Sequence, residues 1–288
     1  MNFFQKLLEI FNSKMEVPSA GGWFHLLFWG LTILLAVLFC VFHKKENPDR
    51  VRKVILSVAI TVIMFEIYKQ INYSFSYENG ISFDYQWYAF PWQFCSTPMY
   101  VGLLAGIFKK GKFHDALCAF LATYAMFAGL CVMVYPNDIY VDTIGINIQT
   151  SVCHGTMISV AIYLFYSGYV KLQHKTILKA MPVFACAMGI AMILNEIAHR
   201  CDLQETFNMF YISPYFAGTL PVYSNVQAIV PFPFCTIIYF AAFSLAAYLV
   251  LLVAMGIKQI CCKIFSKSAK TSANEMTDIA TAEKTNIV

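Results

Sequence analysis

The chain has 288 residues, of which 59% are hydrophobic and only 12% are charged. Soluble domains contain about 25% charged residues, so this composition excludes an ordinary soluble domain. Several nearly uncharged apolar runs of roughly 18 residues or more predict membrane-spanning helices, which satisfy their own backbone groups in lipid. The net charge of +4 is small. No basic stripe occurs beyond the short loops, so we expect no nucleic-acid partner.

Residues 1–22 precede the first long apolar run. Their apolar side chains recur at helical spacing, at Phe3, Phe4, Leu7, Leu8 and Phe11. An amphipathic segment of this kind is typical of a short helix that lies in the membrane interface. The sequence therefore predicts an N-terminal interfacial segment ahead of the membrane domain.

Residues 23–257 contain seven apolar runs. They predict an all-α membrane domain, built as a bundle of seven transmembrane helices. The predicted spans are 23–42, 54–73, 92–108, 115–135, 149–170, 180–199 and 231–257. Residues 258–288 become small and polar after Ser266, which predicts a disordered tail.

The Lys and Arg residues of the loops predict the orientation of this bundle, because cytoplasmic loops are enriched in them. One side carries Lys44, Lys45, Arg50, Arg52, Lys53, Lys109, Lys110, Lys112, Lys171, Lys175, Lys179, Lys258, Lys263, Lys267 and Lys270. The other side carries mostly acidic residues, Glu16, Glu78, Asp84, Asp138, Asp142, Asp202 and Glu205, against Lys6, Lys14 and Arg200. The N-terminus is therefore predicted outside and the C-terminus in the cytoplasm, in a multi-pass protein of the cell membrane.

Two outer loops have patterns of their own. Aromatic and polar residues alternate over residues 73–85 around Asn79-Gly80. This pattern predicts a β-hairpin, because Asn-Gly is favoured in the type I′ turn. The loop of residues 200–230 is rich in Tyr, Phe and Pro, and we expect it to fold back over the bundle.

Polar side chains within the spans gather at their outer ends. They are His25, Glu66, Lys69, Gln70, Gln93, Cys95, Ser96, Gln149, Thr150, Ser151, His154, Asn195, Glu196 and His199. Polar groups in a bilayer are costly and tend to mark function. Their common depth predicts an outward-facing polar pocket built by five spans.

Cys95 lies between Pro91, directly before the third predicted span, and Pro98 within that span. Pro98 cannot donate a hydrogen bond to the carbonyl of Phe94, so the backbone is expected to open beside the thiol. Taken singly, each residue also fits a structural role. Cys95 fits a packed thiol, and His154 fits a hydrogen-bonded core histidine. Asn195 fits a hydrogen bond between helices.

Several short motifs resemble the YwaF-like integral membrane proteins. They are Phe90-Pro91-Trp92-Gln93-Phe94-Cys95-Ser96, Ser151-Val152-Cys153-His154-Gly155, Asn195, and Asn208-Met209-Phe210-Tyr211-Ile212-Ser213-Pro214. The resemblance covers about residues 50–255. Relatives of this family include a vertebrate transmembrane acyltransferase of ether-phospholipid remodelling that works through a Cys and a His. The resemblance implies the same activity for this chain.

The first functional hypothesis is acyl transfer between phospholipids through a thioester on Cys95. His154 takes the thiol proton, forming a Cys–His pair, and Asn195 or Gln93 orients the imidazole or donates to the oxyanion. The residues predicted to bind substrate are Gln93, Glu66, Gln70, His199, Asn208 and Tyr211. The partners are a phospholipid donor and a lysophospholipid acceptor, and this mechanism uses no metal and no cofactor.

Two other hypotheses stay open at this point. His25, His154 and His199, with Glu66 and Glu196 near them, would suit a metal-dependent lipid hydrolase, because three histidines and a water form a catalytic zinc site. A transporter or receptor would match seven spans, although topology alone is analogy at the level of the fold.

The predicted orientation can be tested with reporters. A reporter fused after Ile257 should be cytoplasmic, whereas a tag inserted between Tyr77 and Gly80 should be accessible from outside, because the Lys and Arg residues place these points on opposite sides. Protease protection in sealed vesicles measures both positions. Finding both on the same side would contradict seven crossings.

Overall fold

A computed structural model describes residues 3–43, 48–76, 80–203 and 207–285, without the side chains of Pro48 and of the residues after Ile264. Six helices in this part of the chain are long and apolar enough to cross a bilayer. They are α2 (Trp23–Val41), α3 (Pro48–Asn72), the continuous pair α5 (Lys112–Phe120) and α6 (Met126–Val134), α7 (Ile144–Tyr166), α8 (Lys175–Arg200) and α10 (Phe234–Thr285). The shorter helices are α1 (Phe3–Phe11), α4 (Thr97–Ile107) and α9 (Tyr223–Ile229). The predicted all-α membrane fold is confirmed.

The third predicted span differs from the structure. A helix was predicted over residues 92–108, but α4 begins only at Thr97, and the stretch from Phe90 to Ser96 is irregular. Pro98 accounts for this start, because it lacks an N–H and is favoured in the first turn of a helix, where α4 carries it. The Thr97 hydroxyl instead donates to the Phe94 carbonyl at 2.7 Å. Cys95 therefore lies in non-helical backbone.

The other predicted spans coincide with helices whose ends are shifted. The helices α3, α7 and α8 begin earlier than predicted. The last helix begins later and continues past Ile257 to Thr285. The side chains after Ile264 are not described, so the disordered tail stays a prediction. Some residues used to predict orientation and the hairpin lie outside the described residues, namely Lys44, Lys45, Glu78, Asn79 and Glu205.

Helix α7 is the centre of the bundle. Within its span, 78% of residues are buried, against 22% for α2, α3 and α10. Small residues allow neighbouring helices to approach it closely. Gly155 lies against Thr32 of α2, and a Cβ on Gly129 of α6 would lie 2.7 Å from the His154 carbonyl oxygen. Close packing over small residues is typical of helices in membranes.

Aromatic rings fill the core between the middle and last spans. A single π-turn, Leu121–Ala125, joins α5 to α6 and carries the fully buried Tyr124. The Tyr124 ring stacks on Phe184 of α8 with centroids 4.6 Å apart, and its hydroxyl is 2.7 Å from the Ser244 hydroxyl of α10. Phe184 of this core also packs against Phe210 of the outer loop of residues 200–230.

The predicted hairpin and N-terminal helix are both present. Strands β1 (Phe75–Ser76) and β2 (Ser82–Phe83) pair antiparallel, with Phe75 opposite Phe83. Helix α1 is bound to the bundle rather than only lying beside it. Its Leu8 is fully buried, and the Tyr68 hydroxyl of α3 donates to the Phe11 carbonyl at 2.6 Å.

The long outer loop folds back into the bundle, as predicted. It contains one 3-10 turn, Met209–Tyr211, and the helix α9. Met209 and Phe210 are fully buried and Ile212 is almost so. The ring of Phe210 packs near Phe184, with centroids 6.3 Å apart. The loop therefore reaches the aromatic core instead of covering only the surface.

Candidate functional site

The thiol of Cys95 belongs to an irregular segment that contacts α7. Cys95 is partly buried, and its carbonyl oxygen accepts a hydrogen bond from the Cys153 thiol at 3.8 Å. A narrow cavity of about 30 Å³, lined by residues that include Pro98 and Cys153, lies between α3, α4 and α7. Cys153, which contacts the Cys95 segment from α7, is therefore the residue directly before His154.

The imidazole of His154 has one bonded and one free nitrogen. The side chain is buried, and Nδ1 is 2.7 Å from the Thr150 carbonyl oxygen. A carbonyl only accepts, so Nδ1 carries the hydrogen and Nε2 is left as a bare acceptor in the neutral ring. Nε2 is buried without a hydrogen-bond partner among the described residues. Nor does any hydrogen bond in that part of the chain join it to the Cys95 thiol, so the catalytic pair stays a prediction.

Gln93 and Asn195 each bind the backbone of the outer loop with both ends of their amide. The Gln93 side chain donates to the Asn208 carbonyl at 3.0 Å and accepts from the Phe210 N–H at 2.9 Å. Asn195 donates to the Met209 carbonyl at 3.0 Å and accepts from the Met209 N–H at 2.7 Å. Asn195 was predicted to orient the imidazole or to donate to an oxyanion, but in the structure its amide is bound to Met209.

Two further amides complete this arrangement. The Asn208 side chain accepts from the Ser213 N–H at 2.9 Å, within the same loop. Gln227 of α9 donates to the Tyr211 carbonyl at 3.2 Å and accepts from the Gly218 N–H at 2.8 Å. Asn208 and Tyr211, which were predicted to bind substrate, are therefore parts of a hydrogen-bonded loop.

A buried charge network lies at the outer end of α3. The Glu66 carboxylate accepts hydrogen bonds from Lys69 at 2.9 Å, from Gln70 at 2.8 Å and from Gln149 of α7 at 3.2 Å. Glu66 is only 5% exposed. Gln149 is four residues, about 6 Å, from Cys153 along α7, so this network lies close to the Cys95 segment. The predicted residues Glu66 and Gln70 thus belong to one cluster.

A groove opens between α3 and α4 beside this network. Its volume is about 380 Å³. Apolar side chains, among them Ile63, Ile67 and Leu103, line much of it, and Glu66 and Gln70 contribute polar groups. A groove with both apolar and polar walls suits a molecule that has an apolar chain and a polar head.

Two loop residues outside the spans have shifted pKa values. Burial, and then the charge of Glu66, raise the pKa of Tyr85 to about 12. Its hydroxyl therefore stays protonated and donates to the Gln70 side-chain oxygen at 2.6 Å. A hydrogen bond from Lys14 holds the pKa of Asp142 below its ordinary value. That exposed pair ties the N-terminal segment to the loop ahead of α7.

The histidines of the alternative zinc site have separate surroundings. His25 accepts from the Gly21 N–H at 2.9 Å and donates to the Met133 carbonyl at 2.7 Å. The His199 ring stacks on Tyr215 with centroids 3.6 Å apart. Among the described residues, no group of three or more His, Cys, Asp or Glu side chains could hold a metal ion. The three-histidine arrangement is therefore not formed.

The sequence did not reveal the parts played by Cys153 and Gln227. Cys153 was noted only as a member of the motif around His154, with no role of its own. It lies four residues after Gln149 and directly before His154. This spacing places it on the same face of α7 as Gln149. No pattern in the sequence marks Gln227, because its partners are backbone groups of Tyr211 and Gly218 in the same outer loop.

Six apolar helices with buried polar groups between them define a multi-pass membrane protein. Within that class, the chain belongs to the TMEM164 family, whose sequence model matches residues 19–253. No curated protein and no solved structure matches the chain. The match covers all the predicted site residues and confirms the resemblance at the level of a membrane-protein family; the YwaF-like name and the acyltransferase relatives are not part of it.

The buried ion pair can be tested by stability. Lys69→Met leaves the Glu66 carboxylate charged and buried, so we expect it to cost about 3–5 kcal/mol of unfolding free energy. The double variant with Glu66→Gln removes both charges and should recover much of that loss. Lys14→Met is the matched control, because it breaks an exposed pair with Asp142 and should cost about 1 kcal/mol or less. Thermal unfolding in detergent measures all three. Equal losses for Lys69→Met and Lys14→Met would contradict a buried pair.

Proposed function

We propose that this protein is an acyltransferase that moves an acyl chain between membrane phospholipids, with Cys95 as nucleophile and His154 as general base. The observation that carries the proposal is the bare Nε2 of His154, buried with its Nδ1 hydrogen already engaged. The Nε2 lone pair of this tautomer is free, and a general base needs such a lone pair to take a proton. It lies on the turn of α7 that contacts the Cys95 segment.

The reaction consists of two acyl transfers. His154 takes the thiol proton, and the Cys95 thiolate attacks the ester carbon of a phospholipid. The C–O bond breaks, the lysophospholipid leaves with the proton from His154, and the acyl group stays as a thioester. The hydroxyl of a second lysophospholipid then gives its proton to His154 and attacks the thioester. A new ester forms and the thiol is regenerated, so the cycle needs neither a metal nor a cofactor.

The groove between α3 and α4 is the proposed path of lipids from the bilayer. Its apolar wall suits an acyl chain, and Glu66 and Gln70 at its polar part suit the glycerol and head-group region. Asn195 and Gln93 take a supporting role in this proposal, since their amides are bound to loop backbone. His199, Asn208 and Tyr211 remain proposed contacts of the substrate on the outer side.

We also infer that the chain crosses the cell membrane seven times. Its N-terminus is then outside and its C-terminus in the cytoplasm. The eleven residues of α4 are too few to cross alone. The irregular stretch of residues 90–96 before it supplies the missing length. The alternation of basic and acidic loops supports this orientation.

Activity of purified protein in liposomes tests the proposal. Transfer of a labelled acyl chain to lysophospholipid should fall to background in Cys95→Ala, because the nucleophile is lost, and by a factor of about 100 or more in His154→Ala, because the base is lost. Strong chelators should have no effect. Cys131→Ala and His174→Ala are matched controls on exposed side chains and should keep full activity. Transfer that persists in Cys95→Ala, or that a chelator abolishes, would contradict the mechanism.

A further inference from the structure

The outer loop contains two adjacent aromatic residues in a backbone conformation that L-amino acids rarely adopt. Phe210 has a φ of 59° and Tyr211 a φ of 58°. The left-handed region is unfavourable for residues other than glycine, and such strain persists only where surrounding contacts impose it. Residues 207–213, called the amide-held loop below, are therefore kept in this shape by their contacts.

Side-chain amides supply these contacts from three separate parts of the chain. Gln93 comes from the Cys95 segment, Asn195 from α8 and Gln227 from α9. Together they bind backbone groups of residues 208–211, which are thus satisfied although the loop has no regular ladder. Met209 and Phe210 have no exposed surface. The loop is a fixed and buried part of the protein.

The amide-held loop is bound directly to the segment that carries Cys95. Gln93, which binds the loop, is two residues before Cys95. The ring of Phe94, the residue directly before Cys95, packs against Phe210 with centroids 5.8 Å apart. Phe90 packs against Phe207 at 5.5 Å. The loop therefore covers the Cys95 segment with aromatic side chains.

We propose that the amide-held loop is a lid that keeps water away from the acyl group on Cys95, and that Gln93 and Asn195 are positioning residues for this lid. The inference rests on the proposed thioester. Two nucleophiles compete for that thioester. The hydroxyl of a lysophospholipid attacks the acyl carbon, the C–S bond breaks, and the thiol regains a proton; attack by water breaks the same bond and releases a free fatty acid. Exclusion of water favours the first reaction, so the lid makes the protein a transferase rather than a hydrolase.

A matched pair of variants separates this role from general stability. Asn195→Ala removes the side-chain amide that binds both the backbone N–H and the backbone carbonyl of Met209. Asn147→Ala removes an equivalent pair of hydrogen bonds, to the N–H and carbonyl of Val141, in a different loop. Both asparagines are buried. Asn147 has no part in the proposed catalytic or binding groups.

The first measurement is the ratio of released fatty acid to acylated lysophospholipid in liposomes. We expect this ratio to rise severalfold in Asn195→Ala and to stay at the wild-type value in Asn147→Ala, even if both variants lose total activity. Gln227→Ala, a partly exposed position, is a milder second variant that should raise the ratio in the same direction if Asn195→Ala does not fold. A ratio unchanged in every folded variant would overturn the lid.

The second measurement does not depend on activity. A water-soluble maleimide should label Cys95 faster in Asn195→Ala or Gln227→Ala than in wild-type protein and Asn147→Ala. Mass spectrometry of the peptide that contains Cys95 measures the labelling rate. If the wild-type protein transfers no acyl chain, the proposed function fails while faster labelling still supports a cover over the thiol. Equal labelling rates in all four proteins would overturn the lid whether or not transfer occurs.

Discussion

Non-helical backbone inside a membrane bundle is stable only where other groups satisfy its N–H and carbonyl groups. Residues 90–96 and residues 207–213 are two irregular stretches that are buried or partly buried between the helices. The amides of Gln93 and Asn195 meet this requirement by binding loop backbone at both their oxygen and their nitrogen. Because Gln93 belongs to the first stretch and binds the second, the position of Cys95 depends on the same hydrogen bonds.

Helix α7 connects this arrangement to the charge network of α3. On one face it carries Gln149, which binds Glu66, and Cys153, which contacts the Cys95 carbonyl. His154 follows directly, with its Nδ1 hydrogen used inside the helix. Most of α7 is buried, so its side chains have little freedom to move. The central helix thus fixes the relative positions of the ion pair, the cysteine segment and the imidazole, which is what acyl transfer through a thioester requires.

Much of this architecture was predictable from the sequence. Apolar runs located the six helices that are long enough to cross a bilayer, and the pair Asn79-Gly80 indicated the hairpin that β1 and β2 form. The late start of α4 was predicted only in part. Pro98 indicated that the backbone opens beside Cys95, but hydropathy does not register a missing N–H and placed the start of the helix at residue 92. The selection of polar residues at the outer ends of spans was informative, since most of them form buried or partly buried hydrogen bonds.

The partners of those polar residues were not predictable. Asn195 and Gln93 bind backbone atoms of the loop around Met209, and backbone groups carry no signature of residue type. Glu66 and Gln70 are four residues apart, a spacing that places them on one face of a helix, and they are hydrogen-bonded. This spacing gave no sign that Gln149 would join them, because the relative rotation of two helices is decided by packing of the whole bundle.

The central claim is that Cys95 carries an acyl group during the reaction, and mass spectrometry of the protein tests it most directly. Purified protein is incubated with a phospholipid whose acyl chain carries heavy isotopes, without acceptor, and then digested at acidic pH. We expect the labelled acyl mass on the Cys95 peptide, its removal by neutral hydroxylamine, and its decrease when lysophospholipid is added as acceptor. An acyl group found only on another cysteine, or none on Cys95 while transfer proceeds at full rate, would contradict the account.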